Sequence, residues 1–209
     1  MSAEMAIFVV AVLAVVGWFA LGTHINVRKG HQFLEWLQDG LPLVGEKTTL
    51  RWLGSSVVHL KVEKAQAPFR RVEVLIVLEP RDVPPLWLLS RLRGRRDLLI
   101  LRTELRTLPK RQLEILDSHA WSTRAVEREV SAPPWQLAES PPFRIYTLAS
   151  GGDPADLLAQ ARQAGLATLR IGVRRANNAL ELHWRLPRRP ADASARAVFE
   201  AAQRVAEET

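Results

Sequence analysis

Hydrophobic residues fall along this chain in three rhythms, and each predicts a different kind of element. From Met5 to Gly22 they run without a charged interruption, MAIFVVAVLAVVGWFALG, with 16 of 18 positions apolar. As a helix this run extends about 27 Å, close to the thickness of a bilayer's hydrocarbon core. The run is therefore expected to be a transmembrane helix over 5–22, preceded by a short tail of residues 1–4. Its anchoring side chains are Ile7, Phe8, Val9, Leu13, Trp18, Phe19 and Leu21. A soluble core helix would carry a polar stripe, and this segment has none. A cleaved signal peptide competes, because Ala20-Leu21-Gly22 loosely resembles a small-x-small cleavage site. Against it, the only charged side chain before the run is Glu4, where a signal peptide carries basic residues.

A helical rhythm follows in RKGHQFLEWLQ, residues 28–38, with Phe33, Leu34 and Leu37 on one side and Trp36 beside them. Two destinations fit this juxtamembrane amphipathic helix. It could lie in the interface with Trp36 at headgroup level, or pack inward as the first helix of a globular domain. Gly40, Pro42 and Gly45 then make 39–47 a linker.

Beyond the linker the period shortens to two, the signature of strands. Residues 48–53 and 57–63 flank Gly54-Ser55-Ser56 as a hairpin, and 71–78 is apolar almost throughout, as in a central strand. A helix is expected over 84–93, opening at Pro84 and carrying Leu88, Leu89 and Leu92 on one side; strands follow at 98–105 and 112–116. Prolines at 133, 134, 141 and 142 make 121–142 a connection, in which Val126–Val130 reads as a strand. The last third predicts a strand at 143–149 and a helix over 153–164, capped by Asp153 with Pro154 at its first position and closed by Gly165. A hairpin of 166–174 and 180–186 turns at Asn177-Asn178, and a final helix over 192–207 buries Ala195, Val198, Phe199 and Val205.

The two halves, 48–120 and 143–209, can be aligned as β-α-β-β units. Leu88-Leu89 with Arg93, then Leu101-Arg102, has a counterpart in Leu157-Leu158 with Arg162, then Leu169-Arg170. One shared sheet and two small domains both fit this pattern. The fold class is α+β in either case: an antiparallel or mixed sheet with helices on one face, behind one membrane helix.

Charge adds sidedness. The chain carries +7, and 24 of its 29 basic residues are arginine. Arg28 and Lys29 lie just past the apolar run, and without Glu4 the remainder holds 29 basic against 21 acidic residues. The positive-inside rule then puts the carboxyl side in the cytoplasm of a single-pass cell-membrane protein. Arg91, Arg93, Arg95, Arg96, Arg102, Arg106, Lys110 and Arg111 place eight cations within 21 residues, directly after the Trp-bearing helix. Arg28, Lys29, Trp36, Trp87, Arg91, Arg93, Arg95 and Arg96 are therefore candidate contacts for anionic lipid. The bland alternative turns the leucines of 84–93 to the core and leaves the arginines as a solvated rim.

Candidate chemistry is sparse. With no cysteine, disulfides, thiolate nucleophiles and Cys-based metal sites are excluded. Gly40-Leu-Pro-Leu-Val-Gly45-Glu46-Lys47-Thr48 approaches a phosphate-binding loop, but Glu46 intrudes between glycine and lysine, and a strand rather than a helix should follow. Asp117-Ser118-His119 gathers three catalytic residue types on adjacent positions that usually point apart, and His59 and His183 sit in strands. No cofactor or metal is expected. Aromatics are not interleaved with the arginines, so nucleic acid is a less favoured partner than a bilayer or a protein. The sequence points to an accessory or scaffold role at a membrane surface, with a membrane-tethered enzyme or a basic nucleic-acid-binding module as alternatives.

Overall fold

Nothing between Ala3 and Gln38 stops a helix: there is no proline, and the three glycines are isolated. In the computed structural model, which describes residues 2–149 and 153–209, this whole segment is one helix, α1 (Ala3–Gln38), capped by Ser2, whose hydroxyl accepts from the Met5 N–H. The apolar run and the amphipathic stretch expected after it are thus continuous. Ser2–Glu4 of the expected tail belong to the cap and first turn, and Met1 lies outside the described residues. This helix is long and apolar enough to cross a membrane. Its two halves differ in kind, since nearly every residue from Ser2 to Leu21 is exposed, whereas Gly22, Asn26, Gly30, Phe33, Trp36 and Leu37 are buried.

The fold is α+β. The remaining described residues form a nine-stranded sheet: β1 (Gly45–Leu53), β2 (Val57–Ala65), β3 (Phe69–Val77), β4 (Leu98–Leu105), β5 (Gln112–Asp117), β6 (Gln136–Ser140), β7 (Phe143–Ala149), β8 (Thr168–Arg174) and β9 (Ala179–Arg185). The order is β1-β2-β3-β4-β9-β8-β5-β7-β6, with every neighbouring pair antiparallel. The two halves of the chain share this sheet, because β5 of the first half sits between β8 and β7 of the second. Four further helices join it: α2 (Pro84–Leu92), α3 (Arg124–Val130), α4 (Pro154–Arg162) and α5 (Ala195–Glu207).

One face of the sheet carries the core. Val58, Leu60, Val74, Ile76, Leu101, Ile115, Ile171 and Leu182 meet Phe33 and Leu37 of α1, Leu157 and Ala161 of α4, and Val198, Phe199 and Val205 of α5. The caps follow the sequence: Asp153 accepts from the Ala155 N–H at 2.9 Å, and Gly165 takes φ +69° to end the α4 segment. Asn178 turns the β8–β9 hairpin at φ +50°, where asparagine is tolerated. Residues 150–152, between the strand and helix expected there, lie outside the described residues.

Three expectations are corrected. Residues 124–130 are a helix, which brings Val126 and Val130, one turn apart, onto Leu116, Tyr146 and Trp135 on the far face of the sheet. Helices therefore cover parts of both faces. Gln136–Ser140, expected as connection, is an exposed edge strand paired only with β7. The last helix begins at Ala195, with the Ser194 hydroxyl accepting from the Ala197 N–H, and Pro190–Asp192 form a separate 3-10 turn.

Candidate membrane-surface site

The second half of α1 is bolted to the domain by close contacts at three levels. Lowest are Phe33, Trp36 and Leu37 in the core, where the Trp36 indole donates to the Ala193 carbonyl at 2.8 Å. Trp36 therefore packs inward and takes the globular of its two sequence-compatible destinations. Above it, Gly30 lets the helix cross the Trp52 ring of β1, which a Cβ would strike. Above that, Gly22 presses on the backbone of Arg81 and Asp82, leaving no room for any side chain. Both glycines are close-approach points, where the missing Cβ lets the helix meet its neighbours.

The turn at 79–82 is the hub of this region. Asn26 of α1 donates to the Glu79 carbonyl at 3.1 Å and accepts from the Arg81 guanidinium at 3.0 Å. Arg81 then forks onto Asp97 with bonds of 3.2 and 2.9 Å, and Lys29 reaches the same carboxylate at 2.6 Å. The Glu79 N–H donates to Asp97 as well, at 2.7 Å. Burial alone would raise the Asp97 pKa, but the hydrogen bonds and charges of Arg81 and Lys29 overcome it and hold the carboxyl below its usual range. Lys29, Arg81 and Asp97 thus clamp α1 to the strand end at Leu98. At the outer rim the Trp18 indole donates to the Arg81 carbonyl at 2.9 Å, and its ring lies 6.1 Å from that of Trp87 on α2.

α2 is the second component. Two prolines open it, and Gly94 at φ +79° follows its end. Of its nine residues only Ser90 is buried. Leu86, Leu88, Leu89 and Leu92 are 47%, 54%, 44% and 77% exposed, joined by Val83 just before the helix. The leucines accordingly face out, and the inward-facing alternative does not occur. Trp87 hangs its indole N–H on Glu79 at 2.8 Å, so the helix is fixed beside α1 with its apolar side bare. Because Trp18 and Trp87 pack together, the bare face of α2 adjoins the bare half of α1.

The basic residues surround this patch in different states. Arg91 lies over the Trp87 ring, 5.5 Å from its centroid, and 3.5 Å from Glu79. Arg95 lies 5.1 Å over Trp121, and Arg96 donates to the Arg91 and Arg95 carbonyls. Arg28 and Arg93 are exposed, without a carboxylate within 4.0 Å among the described residues. Lys29 is committed to Asp97.

The other candidates do not converge. His59 pairs with Glu73 at 3.1 Å and His183 with Glu181 at 3.0 Å, but register places β3 and β4 between them, a separation of about 14 Å. His119 is an exposed residue after β5, 3.6 Å from Asp117. In the glycine-containing linker, Leu41–Leu43 make a 3-10 turn, β1 follows directly, and Glu46 pairs with Lys64. Among the described residues no three His, Asp or Glu side chains are grouped as metal ligands would be.

One constellation was not singled out from sequence: an ionic ladder on the far face of the sheet. Arg170 forks onto the fully buried Glu114 at 2.9 and 3.1 Å and reaches Glu181 at 2.9 Å, while Arg174 meets Glu114 at 2.8 Å and Arg102 meets Glu181 at 2.9 Å. Gly172 makes the space, since a Cβ there would meet the Glu114 carboxylate and the Arg170 guanidinium. Burial opposes ionisation of Glu181, but His183, Arg170 and Arg102 hold its pKa far below the usual carboxylate range. Burial likewise pushes His183 down from the ordinary imidazole value despite Glu181. The signal was available in the alternation of Arg170, Gly172 and Arg174 with apolar neighbours, although which acids they meet depends on strand order. These carboxylates are tied in ion pairs, which suits rigidity better than proton transfer.

Compared with known proteins, the chain matches no family model and no curated protein.

Proposed function

We propose that this is a single-pass cell-membrane protein whose α+β domain lies on the cytoplasmic surface and acts by interaction, as an accessory or scaffold subunit. The observation that carries the reading is the adjacency of two bare apolar surfaces, residues 5–21 of α1 and the leucines of α2, joined through Trp18 and Trp87. Exposed apolar area of this extent in a monomer calls for lipid or a partner. One plane accommodates both: α1 crosses the hydrocarbon, and α2 lies in the interface where its tryptophan and leucines are favoured. Cleavage near Gly22 would cut within a continuous helix and remove the Trp18 contact, which favours retention of the segment as an anchor. The surplus of basic residues after the apolar run supports the cytoplasmic side and attraction to anionic lipid. Anchoring raises the effective concentration of the domain for a protein partner at the same surface.

Three measurements on the full-length protein test this. It should remain with membranes in alkaline carbonate, keep residues 1–22 in its mature mass, and carry a C-terminal reporter active only in the cytoplasm. Loss of the N-terminal segment, or a reporter active only outside, overturns the reading.

A further inference from the structure

A pocket of about 530 Å³ opens where α1 meets the 79–82 turn and the chain leaves β9. Six cations line it, Lys29, Arg81, Arg91, Arg96, Arg185 and Arg188, against two carboxylates, Glu79 and Asp97. Those carboxylates are already satisfied, Asp97 by Lys29 and Arg81, and Glu79 by Trp87 with Arg91 at longer range. Arg96, Arg185 and Arg188 remain, each without a carboxylate within 4.0 Å among the described residues. The chain at 185–186 is held in place: the Leu186 N–H donates to the Asp97 carbonyl at 3.0 Å, and the Arg185 N–H to the Ala167 carbonyl at 2.9 Å. Arg96 is pinned through one guanidinium nitrogen to two carbonyls, so its other N–H groups are available.

Like charges gathered around a cavity repel unless an anion sits among them. Guanidinium groups pair with phosphate through parallel N–H···O bonds, so phosphate is the anion this lining suits. The surplus of six cations over two carboxylates favours a doubly charged phosphomonoester over a singly charged diester. The location supplies the source. Lys29 lies seven residues beyond Gly22, about 10 Å further along the helix, on the scale of a headgroup's distance from the hydrocarbon edge. We infer that this pocket binds the phosphomonoester headgroup of an anionic membrane lipid of the phosphatidate type. The lipid source of the phosphate rests on the membrane reading above; the phosphate site itself does not.

The test uses full-length protein in phosphatidylcholine nanodiscs doped with phosphatidate or, separately, phosphatidylglycerol, with bound lipid counted by native mass spectrometry after release into detergent. One phosphatidate should be retained per chain, in preference to phosphatidylglycerol. R185Q/R188Q should weaken retention about tenfold or more, the loss of one or two charge-assisted bonds. Both arginines are exposed, and an unchanged unfolding transition will show that the variant folds. Equal retention by wild type and R185Q/R188Q overturns the site. Inorganic phosphate that competes as strongly as phosphatidate overturns the lipid assignment. L88S/L92S, which weakens only the contact of α2 with the bilayer, should still retain phosphatidate in micelles, so failure of the pocket and failure of the surface reading give different results.

Discussion

α2 and α4 are close to the same helix in sequence, PPLWLLSRL and PADLLAQAR, nine residues each with proline first and paired leucines at the fifth and sixth positions or one earlier. Their fates are opposite. Leu157 of α4 is 0% exposed against the sheet, whereas Leu88 of α2 is 54% exposed. The strands each helix joins account for this. β7 and β8 both run antiparallel to β5, which lies between them, so they are parallel to each other and their connection must cross the sheet face. β3 and β4 are adjacent and antiparallel, so their connection needs only to turn at the sheet's end. α4 is thereby pressed into the core and α2 left beyond it, where a leucine face becomes a surface. A closely similar local pattern is buried in one place and exposed in the other, according to strand pairing many residues away.

Substitutions can break this comparison or sharpen it. The largest expected effect is at the covered helix: Leu157→Ala should cost about 3 kcal/mol in chemical denaturation, while Leu88→Ala stays within about 0.5 kcal/mol in detergent. Similar costs for both would mean that α2 is covered after all. Asp97→Asn should follow at about 2–3 kcal/mol, because Lys29 and Arg81 lose the charge that compensates their partial burial, and α1 should loosen from the 79–82 turn. Amide exchange at Asn26–Phe33 reports it.

The same group sets an acid limit. The Asp97 pKa is lower folded than unfolded, so its contribution is complete above its ordinary value of 3.8 and is lost as pH falls below that. D97N should flatten this part of the stability profile. His183 acts earlier in pH: its folded pKa is depressed, so the unfolded chain takes up the proton first and stability declines as pH drops below about 6.5. His183→Gln should reduce that slope. The smallest effect is at the bare face, where Leu92→Ser should leave unfolding unchanged and weaken bilayer contact by about 1 kcal/mol, read as reduced quenching of Trp87 by brominated lipid. Unchanged quenching would place α2 clear of the bilayer.

Most strands were legible because their alternation is local: β2 with Val58, Leu60 and Val62, and β9 with Leu180, Leu182 and Trp184, each display period two. The apolar run of α1 was equally plain. Illegible features depended on partners distant in sequence. Gly22 marks only the end of the apolar run, and Gly30 carries no signal, until the Arg81 backbone and Trp52 ring are seen against them. The leucines of α2 fit inside or outside until strand order is known. Asp97 gave no sequence signal, since Lys29 and Arg81 reach it from 68 and 16 residues away. Val126 and Val130 are too few to fix a period.

The absence of any break in α1 between Leu21 and Phe33 makes the segment a shaft rather than a tether. Torque applied to its upper part reaches the sheet undiminished, because the glycine contacts and the Asp97 clamp deny it a swivel. One residue added before Trp18 would turn everything above the insertion by about 100° relative to the sheet. The domain would then present a different flank to any neighbour that grips the upper helix, with every contact inside the domain unchanged.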